Sequence, residues 1–142
     1  MEQIYELKES KGITNANNLF DNIKKININY TQENFLVFYL DTKNKVIGSE
    51  VLFKGGLNSC LIDAKTLFRR ALINNSNSII IAHNHPSGDL TPSNEDITIH
   101  KNCKKAGNLI GIKVLDSIIF NKEEFYSMIG GSKWIKKKPT KS

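Results

Sequence analysis

The sequence predicts an α/β domain, a mixed β-sheet sandwiched by helices. Three observations carry this. Apolar runs of strand length alternate along the chain with stretches whose apolar residues recur every three or four positions, the pattern of a layered α/β domain. Residues 35–53 read as a β-hairpin, which puts an antiparallel pair into the sheet and makes it mixed. A length of 142 residues, with 39% hydrophobic and 24% charged side chains, suits one ordinary globular domain with a real core.

Residues 1–12 show no strong period, and Ile4 with Leu7 reads as a short edge segment. Thr14 suits a helix N-cap. Leu19, Phe20, Ile23 and Ile26 then recur at helical spacing and predict an amphipathic helix over 15–26. A polar turn follows. Residues 35–40 read as a buried strand, 41–44 as a turn and 46–53 as the hairpin partner, ended by Gly55-Gly56. Residues 57–62 fit a further short strand. Asp63 caps a helix whose Leu67, Phe68, Ala71 and Leu72 face inward while Arg69 and Arg70 face out. The polar connector 74–77 leads into Ser78-Ile79-Ile80-Ile81-Ala82, a buried strand. Ser93 starts a helix that Gly107 stops. Residues 109–115 and 118–120 read as the last strand or strand pair, and 123–129 as a final short helix. The organisation expected is an N-terminal extension with one helix (1–30), a domain (31–130) and a basic flexible tail (131–142).

Charge is unevenly placed. The chain carries +6, but the tail alone holds Lys133, Lys136, Lys137, Lys138 and Lys141 with no acid, so the rest is close to neutral. That pattern suits a solvated terminus, with a weak, salt-sensitive nucleic-acid contact as the functional reading. No run approaches the ~20 apolar residues of a membrane span. The N-terminus lacks the marks of a signal peptide, so a cytoplasmic protein is expected. Cys60 and Cys103 make no disulfide framework and read as free thiols.

Chemistry concentrates at the end of the strand over 78–82. His83 and His85 are separated by one residue, so on an extended backbone both rings project to one face. A turn-rich loop follows, and Asp96 falls in the first turn of the next helix. Two imidazoles and a carboxylate leave a fourth tetrahedral position for water, as catalytic zinc sites do. Ser93-x-x-Asp96 is also a helix capping box, and the two roles are compatible. Asp89 reads as a turn residue and His100 as a surface residue, with a hydrogen bond supporting the metal ligands as the competing reading.

His83-x-His85, seven residues, Ser93, two residues and Asp96 resembles the JAMM motif of the MPN-type zinc metallopeptidases. The wording His83-Asn84-His85-Pro86-Ser87-Gly88-Asp89, then Thr91-Pro92-Ser93, resembles the RadC-type branch, as do Ala106-Gly107, Gly111-Ile112 and Leu115-Asp116. The resemblance spans roughly residues 31–129. It implies the MPN/JAB fold, a three-layer architecture like that of cytidine deaminases. It also implies Zn2+ held by His83, His85 and Asp96, and Ser93 as an oxyanion donor. The family's general base is a glutamate upstream of the histidines on a neighbouring strand, and Glu50 matches that place; Glu33 is the earlier competitor, but it precedes the strand. Ser117 stands where RadC-type chains usually carry histidine, and residues 1–30 are too short for their helix-hairpin-helix region.

The leading expectation is a zinc-dependent peptidase or isopeptidase acting on a peptide or protein substrate, with no membrane partner and with a homodimer admissible. The second is a DNA-repair or mobile-element accessory that binds metal and nucleic acid without cleaving peptides. A non-catalytic MPN scaffold ranks last, because such scaffolds lose ligands that this chain retains.

Overall fold

The computed structural model describes residues 16–55, 62–129 and 132–135. Among the described residues three helices and six strands follow in the order α1 (Ala16–Lys24), β1 (Asn34–Leu40), β2 (Val46–Lys54), α2 (Ala64–Ile73), β3 (Ser78–Asn84), α3 (Asn94–Ile110), β4 (Lys113–Phe120), β5 (Glu124–Ser127) and β6 (Ser132–Ile135). They form one sheet, ordered β2-β1-β3-β4-β5-β6. β3 and β4 are parallel and joined through α3, as parallel neighbours require. The other pairs are antiparallel, so the sheet is mixed.

Both faces of the central strands are covered, which is why β1 and β3 read as continuous apolar runs rather than alternating ones. On one face Phe35, Val37, Tyr39, Ile79 and Ile81 pack with Leu67, Phe68, Ile99 and Cys103 of α2 and α3. On the other, Leu36, Phe38, Ile80, Ala82 and Phe120 pack with Leu19, Phe20 and Ile23 of α1. α1 therefore belongs to the core of the domain rather than standing apart from it.

Several elements depart from the sequence expectations. α3 runs past Gly107 to Ile110 and ends at Gly111, whose φ of 91° makes it the left-handed cap. Gly107 serves another purpose: a Cβ there would lie 2.3 Å from the Ile112 carbonyl oxygen and 3.2 Å from the Phe68 ring. Residues 113–120 are one strand, and 124–127 form a strand where a helix was expected, because Asn121 Oδ1 accepts from the Glu123 and Glu124 N–H groups and turns the chain back. Residues 132–135, expected in the tail, pair with β5 as β6. Leu72 is exposed rather than inward-facing. The strand expected over 57–62 lies almost wholly outside the described residues, as do Cys60 and the rest of the tail. Among the described residues no helix is long and apolar enough to cross a membrane.

Candidate metal centre

His83 is the penultimate residue of β3 and His85 the first beyond it. Alternation along the strand sends both toward the α2/α3 face and sends Asn84, between them, to the α1 face. The loop that follows folds on itself: Gly88 N–H donates to the His85 carbonyl (2.8 Å), and Thr91 N–H to Asp89 Oδ1 (3.0 Å). Asp89 is thus a turn residue. Ser93 then caps α3. Its Oγ accepts from Asp96 N–H at 3.1 Å, and Asp96 Oδ2 accepts from Ser93 N–H at 2.7 Å. The capping box fixes the carboxylate that faces the histidines, so the capping role the sequence allowed Asp96 leaves it placed where it could also serve as a ligand.

His83 Nε2 lies 2.7 Å from Asp96 Oδ1, and His85 Nε2 lies 2.9 Å from Oδ2. The ring centroids are 5.2 Å apart, and the His83 ring stacks on Phe35 with an interplanar angle of 14°. His83 and Asp96 are buried and His85 is half-buried. One ligand atom from each residue falls within a 4.8 Å group, close enough to hold one metal ion.

The donor set fits a cation. His85 Nδ1 is 2.6 Å from the Asp89 carbonyl oxygen, which can only accept, so Nδ1 carries the proton. In the neutral ring Nε2 then turns a lone pair toward a carboxylate oxygen, acceptor against acceptor. His83 Nε2, for its part, is buried without a hydrogen-bond partner despite its closeness to Asp96. A positive species between these atoms satisfies all of them. Burial pushes the Asp96 carboxyl up, but the two imidazoles outweigh it and hold the group well below the usual carboxylate range. The hydrogen bond to Asp96 raises the His85 pKa against the opposing effect of burial.

The structure does not bring Glu50 to this centre. Glu50 pairs with Val37 and Val37 with Ile81, whereas His83 stands opposite Phe35. Glu50 shares the histidines' face of the sheet. It nevertheless sits one row (~7 Å) along the strands and two strands (~9.5 Å) across from His83. Its carboxylate is engaged: Arg70 Nε donates to Oε1 (3.0 Å), Arg70 Nη2 to Oε2 (2.8 Å), and the Tyr39 hydroxyl to Oε1. Arg70, expected to face out, turns in to make this pair. Glu33 is the acid beside the centre. Continuing the β1–β3 alignment two residues past Phe35 and His83 sets Glu33 opposite His85, on the same face. Glu33 is half-buried, and its charge contributes to the raised His85 pKa.

His100 is half-buried rather than a surface residue, its Nδ1 2.5 Å from the buried Ser117 Oγ. Cys103 is buried, its thiol pushed up by burial to about 12. A cleft of about 440 Å³ opens beside His85, walled by Tyr30, Thr31, Pro86, Gly88 and Lys122.

A mixed sheet between helices, with two imidazoles at a strand end facing a carboxylate at a helix start, defines the JAB class of domain. The sequence profile of the RadC-like JAB domain matches residues 13–134, and the chain belongs to that family. It is 41% identical over 126 residues to a UPF0758 protein of Clostridium perfringens, covering 89% of this chain and 54% of that one. It is 48% identical over 99 residues to one of Staphylococcus haemolyticus, covering 70% and 43%, and 46% identical over 97 residues to one of Listeria welshimeri, covering 68% and 43%. The chain thus spans about half the length of the curated relatives it matches.

Proposed function

We propose that the protein is a zinc-dependent hydrolase of the JAMM type that cleaves a peptide or isopeptide bond. The observation that carries this reading is the meeting of one ligand atom each from His83 and His85 at a strand end and Asp96 at a helix start, beside an open cleft. These residues would hold Zn2+, which when bound acidifies a water molecule and polarises a carbonyl group. Glu33 takes the proton of the attacking water and passes it to the leaving amine. Its support is its place opposite His85 and the charge it exerts there. Ser93, at the N-cap beside Asp96, donates its hydroxyl to the developing oxyanion. The cleft between Tyr30 and Pro86 seats the substrate chain. The products are a carboxylate and an amine.

The test is digestion of a peptide library and of lysine-branched isopeptides by the zinc-loaded protein, with new termini read by mass spectrometry. Cleavage should stop on chelation and fall by roughly 10²–10⁴-fold in Glu33→Gln. Glu50→Gln, normalised to folded protein, should stay within about threefold of wild type, because the residue touches no reacting group. A protein that binds zinc stoichiometrically and cleaves neither class would overturn the proposal.

A further inference from the structure

Asn84, the residue between the two histidines, is 1% exposed on a face where its strand neighbours are Ala82 and Ile80. A buried carboxamide there is costly unless every polar atom is used. Its Oδ1 accepts from the backbone N–H of Asn34 (2.8 Å) and from Asn34 Nδ2 (3.1 Å). Its Nδ2 donates to the carbonyls of Gln32 (2.8 Å) and, at longer range, Tyr30 (3.4 Å). Asn34 is itself fully buried and extends the clip, with Nδ2 at 3.0 Å from the Asn29 carbonyl and 3.1 Å from that of Gln32.

The clip begins where the ladder stops. Strand pairing between β1 and β3 ends with Phe35 and His83. The next residues toward the site, 29–34, carry Glu33 together with Tyr30 and Thr31 of the cleft wall. The hydrogen bonds described between them and the histidine strand are those of the Asn84 amide, while the Tyr30 ring packs edge-on against Phe120 of β4. On the opposite edge Gly55 N–H donates to the Glu33 carbonyl (3.0 Å), which fixes the backbone of Glu33 toward β2 but not toward the histidines.

We infer that Asn84 is a positioning residue: its amide locks the 29–34 segment to the histidine strand and thereby holds Glu33 opposite His85. The inference rests on Glu33 serving as the base. Because one residue carries both attachments, the rings on one face and the base-bearing segment on the other side of the strand keep a single relative placement.

Cobalt(II)-loaded protein tests it, with visible absorption followed against pH in wild type, Glu33→Gln, Asn84→Ala and the double variant. Glu33→Gln should move the midpoint by at least about 0.5 pH unit, and Asn84→Ala should reproduce most of that shift in the same direction. The double variant should shift no further than Glu33→Gln alone, the non-additivity expected of one coupled unit. Cobalt affinity of Asn84→Ala should stay within about threefold of wild type, since the ligands are held by β3 and the α3 cap. An unshifted Asn84→Ala beside a shifted Glu33→Gln overturns the inference, as do additive shifts. A cobalt affinity reduced more than about tenfold also overturns it, because Asn84 would then be holding the imidazoles. A silent Glu33→Gln removes the base assignment itself, and the inference with it. Should Asn84→Ala fail to fold, Asn34→Ala removes the Nδ2 donor to Asn84 Oδ1 and to the Asn29 and Gln32 carbonyls and leaves the histidine segment whole. It should shift the midpoint the same way, and a folded Asn34→Ala with no shift overturns the inference.

Discussion

Two buried charged clusters lie on the same face of the same sheet, and they are built on opposite principles. Around Glu50 every carboxylate oxygen meets a donor: Arg70 grips it with two N–H groups, and Tyr39 adds its hydroxyl. Hydrogen bonding to Glu50 raises the Arg70 pKa further, and burial with the Glu50 hydrogen bond raises that of Tyr39, so both partners keep their protons. Around Asp96 the Oδ2 atom, which accepts from the Ser93 N–H, also meets His85 Nε2, which has no proton to give while that ring is neutral, and Oδ1 meets a His83 Nε2 buried without a hydrogen-bond partner. The first cluster is complete as it stands. The second leaves ligand atoms grouped closely enough to hold a cation. Burial and charge alone do not separate a structural carboxylate from a functional one; the count of donors against acceptors does.

The largest effect that could break this contrast comes from Asp96→Asn. At N3 an asparagine Oδ1 can still accept from the Ser93 N–H, so apoprotein stability should change by about 1 kcal/mol or less. Zinc affinity, read by calorimetry, should fall by about a hundredfold or more, because a charged ligand is lost. An unaltered affinity would reduce Asp96 to a cap. Glu50→Gln should do the reverse. Breaking a buried ion pair costs about 3–5 kcal/mol, and here about 2–3, since the Arg70 side chain keeps 25% of its exposure. Urea denaturation reads that loss, and zinc affinity should hold. A stable Glu50→Gln with impaired zinc binding would reverse the assignment of the two clusters.

Proton competition sharpens the same comparison. The His85 pKa lies above its ordinary value of 6.5, chiefly through its hydrogen bond to Asp96. In the apoprotein that pair contributes stability that is fully present below the unfolded value and fades as pH rises through the folded one. A metal ion must displace the same proton. Zinc affinity should therefore fall about tenfold per unit as pH drops through the raised His85 value. Apoprotein stability from this pair moves in the opposite direction. Calorimetry across pH 5.5 to about 8 measures both; a flat affinity profile would place the bound ion away from His85.

Much of this was legible in the sequence, and the failures share one cause. The amphipathic helix, the hairpin, the histidine strand and the Ser93–Asp96 cap all follow from local spacing, and the structure places them accordingly. The resemblance favours Glu50, because it calls for a glutamate on a strand beside the histidines and Glu33 precedes its strand. That preference ignores where the histidines sit. They come as β3 ends, and the antiparallel β1 begins at that same end, so an acid beside them belongs just before β1. Strand order decides this, and one-dimensional periodicity does not carry strand order. Arg70 reads as outward for the same reason: helical period gives a face, not the buried acid across from it. Residues 124–127 look helical by composition because the turn made by Asn121 is a side-chain effect outside the segment.

The smallest effect concerns a third polar pair, His100 and Ser117, which lies between the other two in character. RadC-type chains usually carry a histidine after the equivalent of Asp116; here that position is Ser117, and an imidazole reaches it from α3 instead. Burial lowers the His100 pKa, so the ring is neutral near pH 7, and it can exchange one hydrogen bond with the buried hydroxyl. His100→Ala should cost about 1 kcal/mol in urea denaturation at neutral pH, the price of an unsatisfied hydroxyl. Adding Ser117→Ala on that background should recover part of the loss, because both partners are then gone. Zinc affinity should remain within about threefold in both variants. A loss beyond about tenfold would show that the ring from α3 supports the metal ligands, and the pair would then belong with Asp96 rather than with Glu50.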